Sequence, residues 1–338
     1  MKYNLLIIIF SVFVISCNTQ SKKENNQQTY QLPKDTSIIG LISDSIIHSP
    51  GNAELYADRA KLYFAKRELN LAIRDMENAI KYDSTNNEYY NLISDYWIIK
   101  GNSKPAKEYL DKAYKNDPKN TGTLIRLAKL YLYIDHYDKC FDYVNQAIEI
   151  NPALAMPHFV KGLCYDQMQD TARAIREYQT AVERNPDFYE AYILLGLKFA
   201  DKKDTLAIQY NKNAISLRPN SIEAHYNQGI FLQSIGEYDR AMAEYKYIID
   251  NIDSTYAQAY YNMGYMYLEY SNKYDKAIEL FEKSAKFDDS SPATWYNLGL
   301  SYERNKQKDK AKEMYEKSLQ LMPNYQLAID GLKRVTKK

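Results

Sequence analysis

Residues 292–325 read PATWYNLGLSYERNKQKDKAKEMYEKSLQLMPNY, and the rest of the chain is organised as variations on this stretch. Its marks are Trp295, Leu298, Gly299 and Tyr302, then Ala311, Tyr315, Ser318 and Pro323. Aligned on itself, the chain shows the same marks eight times at a period of 34 residues, in copies starting at Ala53, Asn87, Thr121, Ala155, Tyr189, Ile222, Ala257 and Pro292. The eighth position of each copy is small: Ala60, Ser94, Ala128, Gly162, Gly196, Gly229, Gly264 and Gly299. So is the twentieth: Ala72, Ala106, Cys140, Ala174, Ala207, Ala241, Ala277 and Ala311. The eleventh is large: Tyr63, Trp97, Tyr131, Tyr165, Phe199, Leu232, Tyr267 and Tyr302. Small residues at two fixed places predict two helices in close approach. A large flat residue at the third predicts filling between copies, each ring burying roughly 150–250 Å². Pro118, Pro152, Pro186, Pro219 and Pro323 fall where a second helix should stop, a place where Pro is tolerated.

The period and the order Trp, Leu-Gly, Tyr, Ala, aromatic, Pro resemble the tetratricopeptide repeat, over residues 53–325. The resemblance implies an all-α fold: a right-handed superhelical solenoid of about eight helix pairs. Residues 36–50 match the second half of a repeat in phase, and residues 326–338 are apolar through Leu327, Ile329, Leu332 and Val335. Both are expected to be capping helices, since a terminal repeat otherwise exposes its stacking face. The fifth copy is one residue short between Gly196 and Ala207. The sixth and seventh each carry one extra, near Tyr256 and in Tyr270–Lys273. Either the curvature changes at Tyr245–Tyr256 or longer loops absorb the additions.

The N-terminus reads as an address. Leu5 to Ile15 is an apolar run behind one positive charge, too short for a bilayer, which needs about 20 residues. Its end, Val14-Ile15-Ser16-Cys17, resembles the lipobox of bacterial lipoproteins. That resemblance implies removal of residues 1–16, acylation of Cys17 and a lipid anchor in the membrane. Residues 17–32 then form a polar tether, too poor in apolar side chains to order itself. Asn18 after the lipidated Cys favours the outer membrane over the inner one.

Composition narrows the function. The 338 residues carry Lys+Arg 44 and Asp+Glu 43, without the basic surplus of a nucleic-acid binder. The 34 Tyr are largely absorbed by the repeat. His48, His136, His158 and His225 are dispersed and make no zinc spacing with Cys140 and Cys164, which read as two buried thiols. No phosphate-binding Gly loop or nucleophile motif is present, so neither an enzyme nor a cofactor is expected.

In this family the first helices line the inner surface where ligands bind. Here the fifth and ninth positions of the later copies bring Ile193, Leu197, Tyr226, Ile230, Tyr261, Tyr265, Tyr296 and Leu300 to one apolar stripe. Exposed patches of this kind mark binding sites. Charges on the same face are mostly acidic, Asp95, Asp166, Glu269 and Glu303 among them, against Lys61, Lys129 and Arg304. The sixth position adds Asn227, Asn262 and Asn297, resembling asparagine ladders that hold an extended peptide backbone. The Lys and Arg members of the chaperone-type carboxylate clamp fall on Tyr226, Ile230, Tyr261 and Ala293, which excludes that activity. The expected function is a membrane-anchored scaffold that takes a protein or peptide segment in an apolar, acidic groove, within an outer-membrane assembly or secretion complex. The alternative is a glycan-binding lipoprotein of an uptake system, for which the tight period leaves no sugar-binding insertion.

Overall fold

The computed structural model describes residues 37–337, which contain eighteen α-helices. The signal segment, Cys17 and the tether lie outside the described residues. Among those described, no helix is long and apolar enough to cross a membrane. The helices fall into two compact units, one reaching to Glu190 and one running from Ala191. Helix α1 is Ile38–His48. The first unit continues with α2 Ala53–Ala65, α3 Leu69–Tyr82, α4 Asn87–Ile99, α5 Ser103–Asn116, α6 Thr121–Tyr133, α7 Tyr137–Ile150, α8 Ala155–Gln167 and α9 Thr171–Arg184. Helix α10, Tyr189–Asp201, contains the division. The second unit then holds α11 Leu206–Leu217, α12 Ile222–Ser234, α13 Tyr238–Tyr247, α14 Ala257–Glu269, α15 Tyr274–Phe287, α16 Pro292–Arg304, α17 Lys308–Leu321 and α18 Gln326–Thr336.

Local chemistry explains the helix ends. The side chains of Asn52, Asn86 and Asn120 accept hydrogen bonds from the first free amides of α2, α4 and α6, and Ser221 and Ser291 do the same for α12 and α16. Between the two helices of every repeat the chain turns through one residue of positive φ: Arg67, Gly101, Asp135, Gln169, Lys203, Gly236, Asn272 and Lys306. The next amide reaches back to the carbonyl of the eleventh-position residue, as Glu68 does to Tyr63 and Gln307 to Tyr302, both at 2.9 Å, closing a Schellman turn.

The small eighth position has a more specific cause than close helix approach. The residue that lies on it comes from the twenty-fourth position: Met76, Leu110, Val144, Tyr178, Asn211, Tyr245, Phe281 and Tyr315, each nearly inaccessible. Where that residue is aromatic, the eighth is Gly. A Cβ on Gly162 would stand 2.5 Å from the Tyr178 ring, and on Gly299 2.8 Å from that of Tyr315. Where it is aliphatic, Ala or Ser suffices. The twelfth position varies in step. Tyr178 donates its hydroxyl to Asp166 at 2.8 Å, Tyr245 to Gln233 at 3.2 Å, and Tyr315 to Glu303. Phe281, which has no hydroxyl, meets a repeat with Leu268 there. Repeat five breaks the rule: Asn211 occupies the ring's place against Gly196, its repeat carries Ala200 at the twelfth position, and neither buried side-chain polar atom of Asn211 has a partner among the described residues.

The irregular repeats are handled in different ways. In the sixth, the extra residue is taken up by a π-helical turn, Ile248–Ile252, with the Asp253 amide bonded to the Ile248 carbonyl at 2.8 Å. Ile248 is buried by this turn, so no longer loop is needed. In the seventh, the addition sits in the loop at Asn272. In the fifth, the turn at Lys203 is intact and the missing residue is lost after it, leaving α11 at 12 residues where α9 has 14.

Candidate functional site

In the second unit the first helices α12, α14 and α16 place Tyr226, Tyr261 and Tyr296 at equivalent points, each half-buried. Each ring leans on the aromatic residue of the twenty-fourth position in its own repeat: Tyr226 on Tyr245 at 5.9 Å, Tyr261 on Phe281 at 5.6 Å, Tyr296 on Tyr315 at 5.9 Å. Tyr256 and Tyr325 close edge-on against Tyr226 and Tyr296 at 5.8 and 5.7 Å. These two were not among the expected site residues. Their signal was an aromatic just before the next first helix, two residues after the usual Pro.

The asparagine row is mostly used within the protein. Asn262 donates its Nδ2 to the Tyr226 hydroxyl at 3.3 Å, and Asn297 to that of Tyr261 at 2.8 Å. Each sixth-position amide therefore latches onto the fifth-position hydroxyl of the preceding repeat, and both Asn are buried. The expected ladder of three free carboxamides is thus corrected to one. Asn227 would reach back to residue 193, an Ile whose side chain has no acceptor, and its Nδ2 has no partner among the described residues. Ile193 itself is 1% exposed and offers no surface, contrary to expectation. Its neighbours on the stripe do: Leu197 is 37% and Ile230 41% exposed, and Tyr265 and Leu300 are half-buried.

The expected acidic lining is also reduced. Asp95 is buried and paired with Arg126 at 3.0 Å. Burial pushes its carboxyl up to about 6 despite that partner. Lys129 on the same face is pushed down to about 8 by burial, against the pull of Asp95. Asp166 accepts the Tyr178 hydroxyl. Glu303 is held by Arg334 of α18 through two bonds, 2.8 and 2.9 Å. Burial opposes its ionisation, but Arg334 and Tyr315 prevail and its carboxyl stays below the usual range. Glu269 remains exposed.

Elsewhere the titratable groups do structural work. His158 and His225 bond Glu177 and Glu244 on the second helices of their own repeats at 2.8 and 2.6 Å. Cys140 and Cys164 are buried free thiols, and that of Cys140 is raised by its hydrogen bond with Cys164 and by burial. Among the described residues no group of three His, Cys, Asp or Glu could hold a metal ion.

Family models described as tetratricopeptide repeat match residues 88–120, 122–154, 159–222, 257–290 and 292–325, together more than half of the chain. A TPR repeat-containing protein of Methanocaldococcus jannaschii is 23% identical over 86% of this chain and 48% of its own length. A BBSome complex member of Bos taurus is 25% identical over 60% of this chain and 39% of its own. The chain thus spans about half or less of these curated relatives. Among solved structures, the C-terminal part of a TPR repeat-containing protein from Cytophaga hutchinsonii superposes with a TM-score of 0.60 at 22% identity, covering 72% of this chain and 99% of that one. The anaphase-promoting-complex hetero-tetramer Cut9–Hcn1 gives 0.50 at 18% identity over 88% of this chain and 58% of that one. Those likenesses show the fold alone. With matches spread from residue 88 to residue 325, the chain belongs to the tetratricopeptide repeat family.

Proposed function

We propose that the protein is a membrane-anchored tetratricopeptide scaffold whose second unit binds an extended protein or peptide segment along the first helices α10, α12, α14 and α16. The observation that carries this is the break in the asparagine row. Where Asn262 and Asn297 are latched to tyrosines, Asn227 has a donor with no acceptor, and it lies between the exposed aliphatics Leu197 and Ile230. A buried donor without an acceptor is costly, roughly 1–3 kcal/mol, and rotation of the half-buried Asn227 side chain toward the groove would let a backbone carbonyl of a bound segment relieve it. Apolar side chains of the same segment would cover Leu197 and Ile230, which solubility alone does not require. The lipid address at Cys17 and the outer membrane belong to this reading on the strength of the N-terminal sequence, and an assembly or secretion complex on fold-level analogy with lipoproteins of this architecture. Nothing specific favours a glycan ligand: the central rings, Tyr226 and Tyr261, lie half-buried against Tyr245, Tyr256 and Phe281 and present no open platform.

Cross-linking in detergent-solubilised membranes, followed by mass spectrometry, tests the site. The double substitution Leu197→Ser, Ile230→Ser should remove the cross-linked partner while leaving the thermal transition in place, because both side chains are exposed. Asn227→Ala should weaken capture about five-fold, the loss of one hydrogen bond. Retention of the same partner by all variants would move the site off this face. Cys17→Ser should release the chain from the membrane fraction, and continued membrane attachment would remove the anchor.

A further inference from the structure

Along the same face the chain treats two neighbouring carboxylates differently. Glu303 is met by Arg334, with Tyr315 donating its hydroxyl to the same carboxylate. One repeat earlier, Leu300 takes the place of Arg334 and Leu268 that of Glu303, and the carboxylate comes at the next residue, Glu269. Glu269, at the end of α14, is exposed, and among the described residues it has no ion-pair partner. Arg304, the cation at the matching position of α16, is likewise exposed and forms no ion pair with it. Tyr265 lies four residues before Glu269 and so on the same side of the helix. Tyr265, Tyr296 and Leu300 pack against one buried cluster that includes Leu268 and Leu298, which brings both rings and the aliphatic side chain to one place beside Glu269.

A second observation concerns the rings. On its outer helices the chain covers aromatics with its own cations: Lys139 lies over Tyr131 at 5.1 Å, Arg173 over Tyr165 at 4.6 Å, Lys276 over Tyr267 at 5.4 Å and Lys310 over Tyr302 at 5.2 Å. Among the described residues no cation lies over Tyr265 or Tyr296. The result is two half-buried rings, an aliphatic floor at Leu300 and a solvent-facing carboxylate with no counter-ion. A cation is drawn to the face of a ring and a carboxylate beside it adds to the attraction. Leu300 suits the methylene stem of a long basic side chain.

We propose that Tyr265, Glu269 and Tyr296 receive an arginine or lysine side chain of the bound segment, which supplies the counter-ion that Glu269 lacks within the chain. This rests on the peptide-binding reading above and names the chemistry of one anchor in it. The peptide lies with its apolar residues toward Leu197 and Ile230 and its basic residue toward α18.

Two blocked tripeptides test the idea on the full chain: acetyl-Leu-Arg-Leu-amide and the same peptide with neutral citrulline in place of Arg, followed by NMR of ring-labelled tyrosines. The arginine peptide should bind at least ten-fold more tightly and shift the Tyr265 and Tyr296 resonances. Glu269→Gln, an exposed position, should leave the thermal transition unchanged and cut the preference to about two-fold. Equal binding of the two peptides, a preference that survives Glu269→Gln, or shifts confined to other rings would each overturn the cation site. Binding of neither peptide would overturn it as well. A cross-linked partner that depends on Leu197 and Ile230 but not on Glu269 would sink this anchor alone and leave the groove standing.

Discussion

The two units fill the same sixth position with different chemistry. In the unit ending at Glu190, Arg126 reaches back from α6 to Asp95 on α4 and forms an ion pair. In the unit starting at Ala191, Asn262 and Asn297 reach back to the hydroxyls of Tyr226 and Tyr261. Both are latches between successive first helices. The ionic latch ties up an acid and a base and brings pH dependence with it. The neutral latch holds at any physiological pH and leaves tyrosine rings half-exposed along the helices. A repeat family can therefore keep its stacking geometry constant while the sixth position carries an ion pair in one unit and neutral amide latches in the other.

Breaking each latch should separate them most clearly. Asp95→Ala leaves Arg126 without its counter-charge, on the order of 3 kcal/mol of destabilisation in urea unfolding. Tyr261→Phe leaves only the Asn297 amide unpaired, about 1 kcal/mol. Equal losses would erase the distinction. The sign of the pH effect follows from Asp95. Its folded pKa of about 6 lies above the ordinary 3.8, so its contribution is present below that lower value and lost as pH rises through about 6. Stability of the first unit should fall between pH 4 and pH 6, and Asp95→Asn should flatten that slope.

Next in size is the contact of ring on glycine. Gly162→Ala would push a methyl to 2.5 Å from Tyr178, whereas Gly264→Ala meets Phe281 at 3.1 Å. The first should cost about 2 kcal/mol and the second under 1 kcal/mol by thermal unfolding. A reversed order would mean that the rings, not the helices, give way.

Much of this was legible in advance. The period and the small positions placed the helix pairs, and Pro marked where the second helices end. The pairing of Gly at the eighth position with an aromatic at the twenty-fourth, and of Tyr there with Asp166, Gln233 or Glu303 at the twelfth, was present in the eight aligned copies and was missed. The missed signal was that two columns change together. Other features lie outside any single column. Asn227 and Asn262 look identical in sequence, and only the residue one repeat earlier, Ile193 or Tyr226, decides which donor is left over. Positive φ at Arg67 or Lys306 carries no Gly to announce it, because the Schellman turn imposes the conformation on whatever residue falls there. The π-helical turn at Ile248–Ile252 follows from burying Ile248, a packing demand that counting residues in a loop does not register.

Repeat five offers the most diagnostic effect, because it fails the column rule that its neighbours obey. Gly196 leaves room for a ring, yet Asn211 fills the place with a carboxamide that bonds nothing. If the rule is physical, completing it should stabilise the chain. Asn211→Tyr alone supplies a ring whose buried hydroxyl lacks an acceptor. Asn211→Tyr with Ala200→Gln reproduces the Tyr245–Gln233 pair of the next repeat. The single change should be close to neutral, since one unpaired polar group replaces another. The double change should raise stability by about 1 kcal/mol, the net worth of one satisfied buried hydrogen bond. A double-mutant cycle read by urea unfolding isolates the coupling from the separate effects of the two side chains. Additivity within error would mean that Gly196 and Asn211 already form a relaxed pair of their own, and that the second unit tolerates a polar interior at this repeat for reasons unrelated to the tyrosine columns beside it.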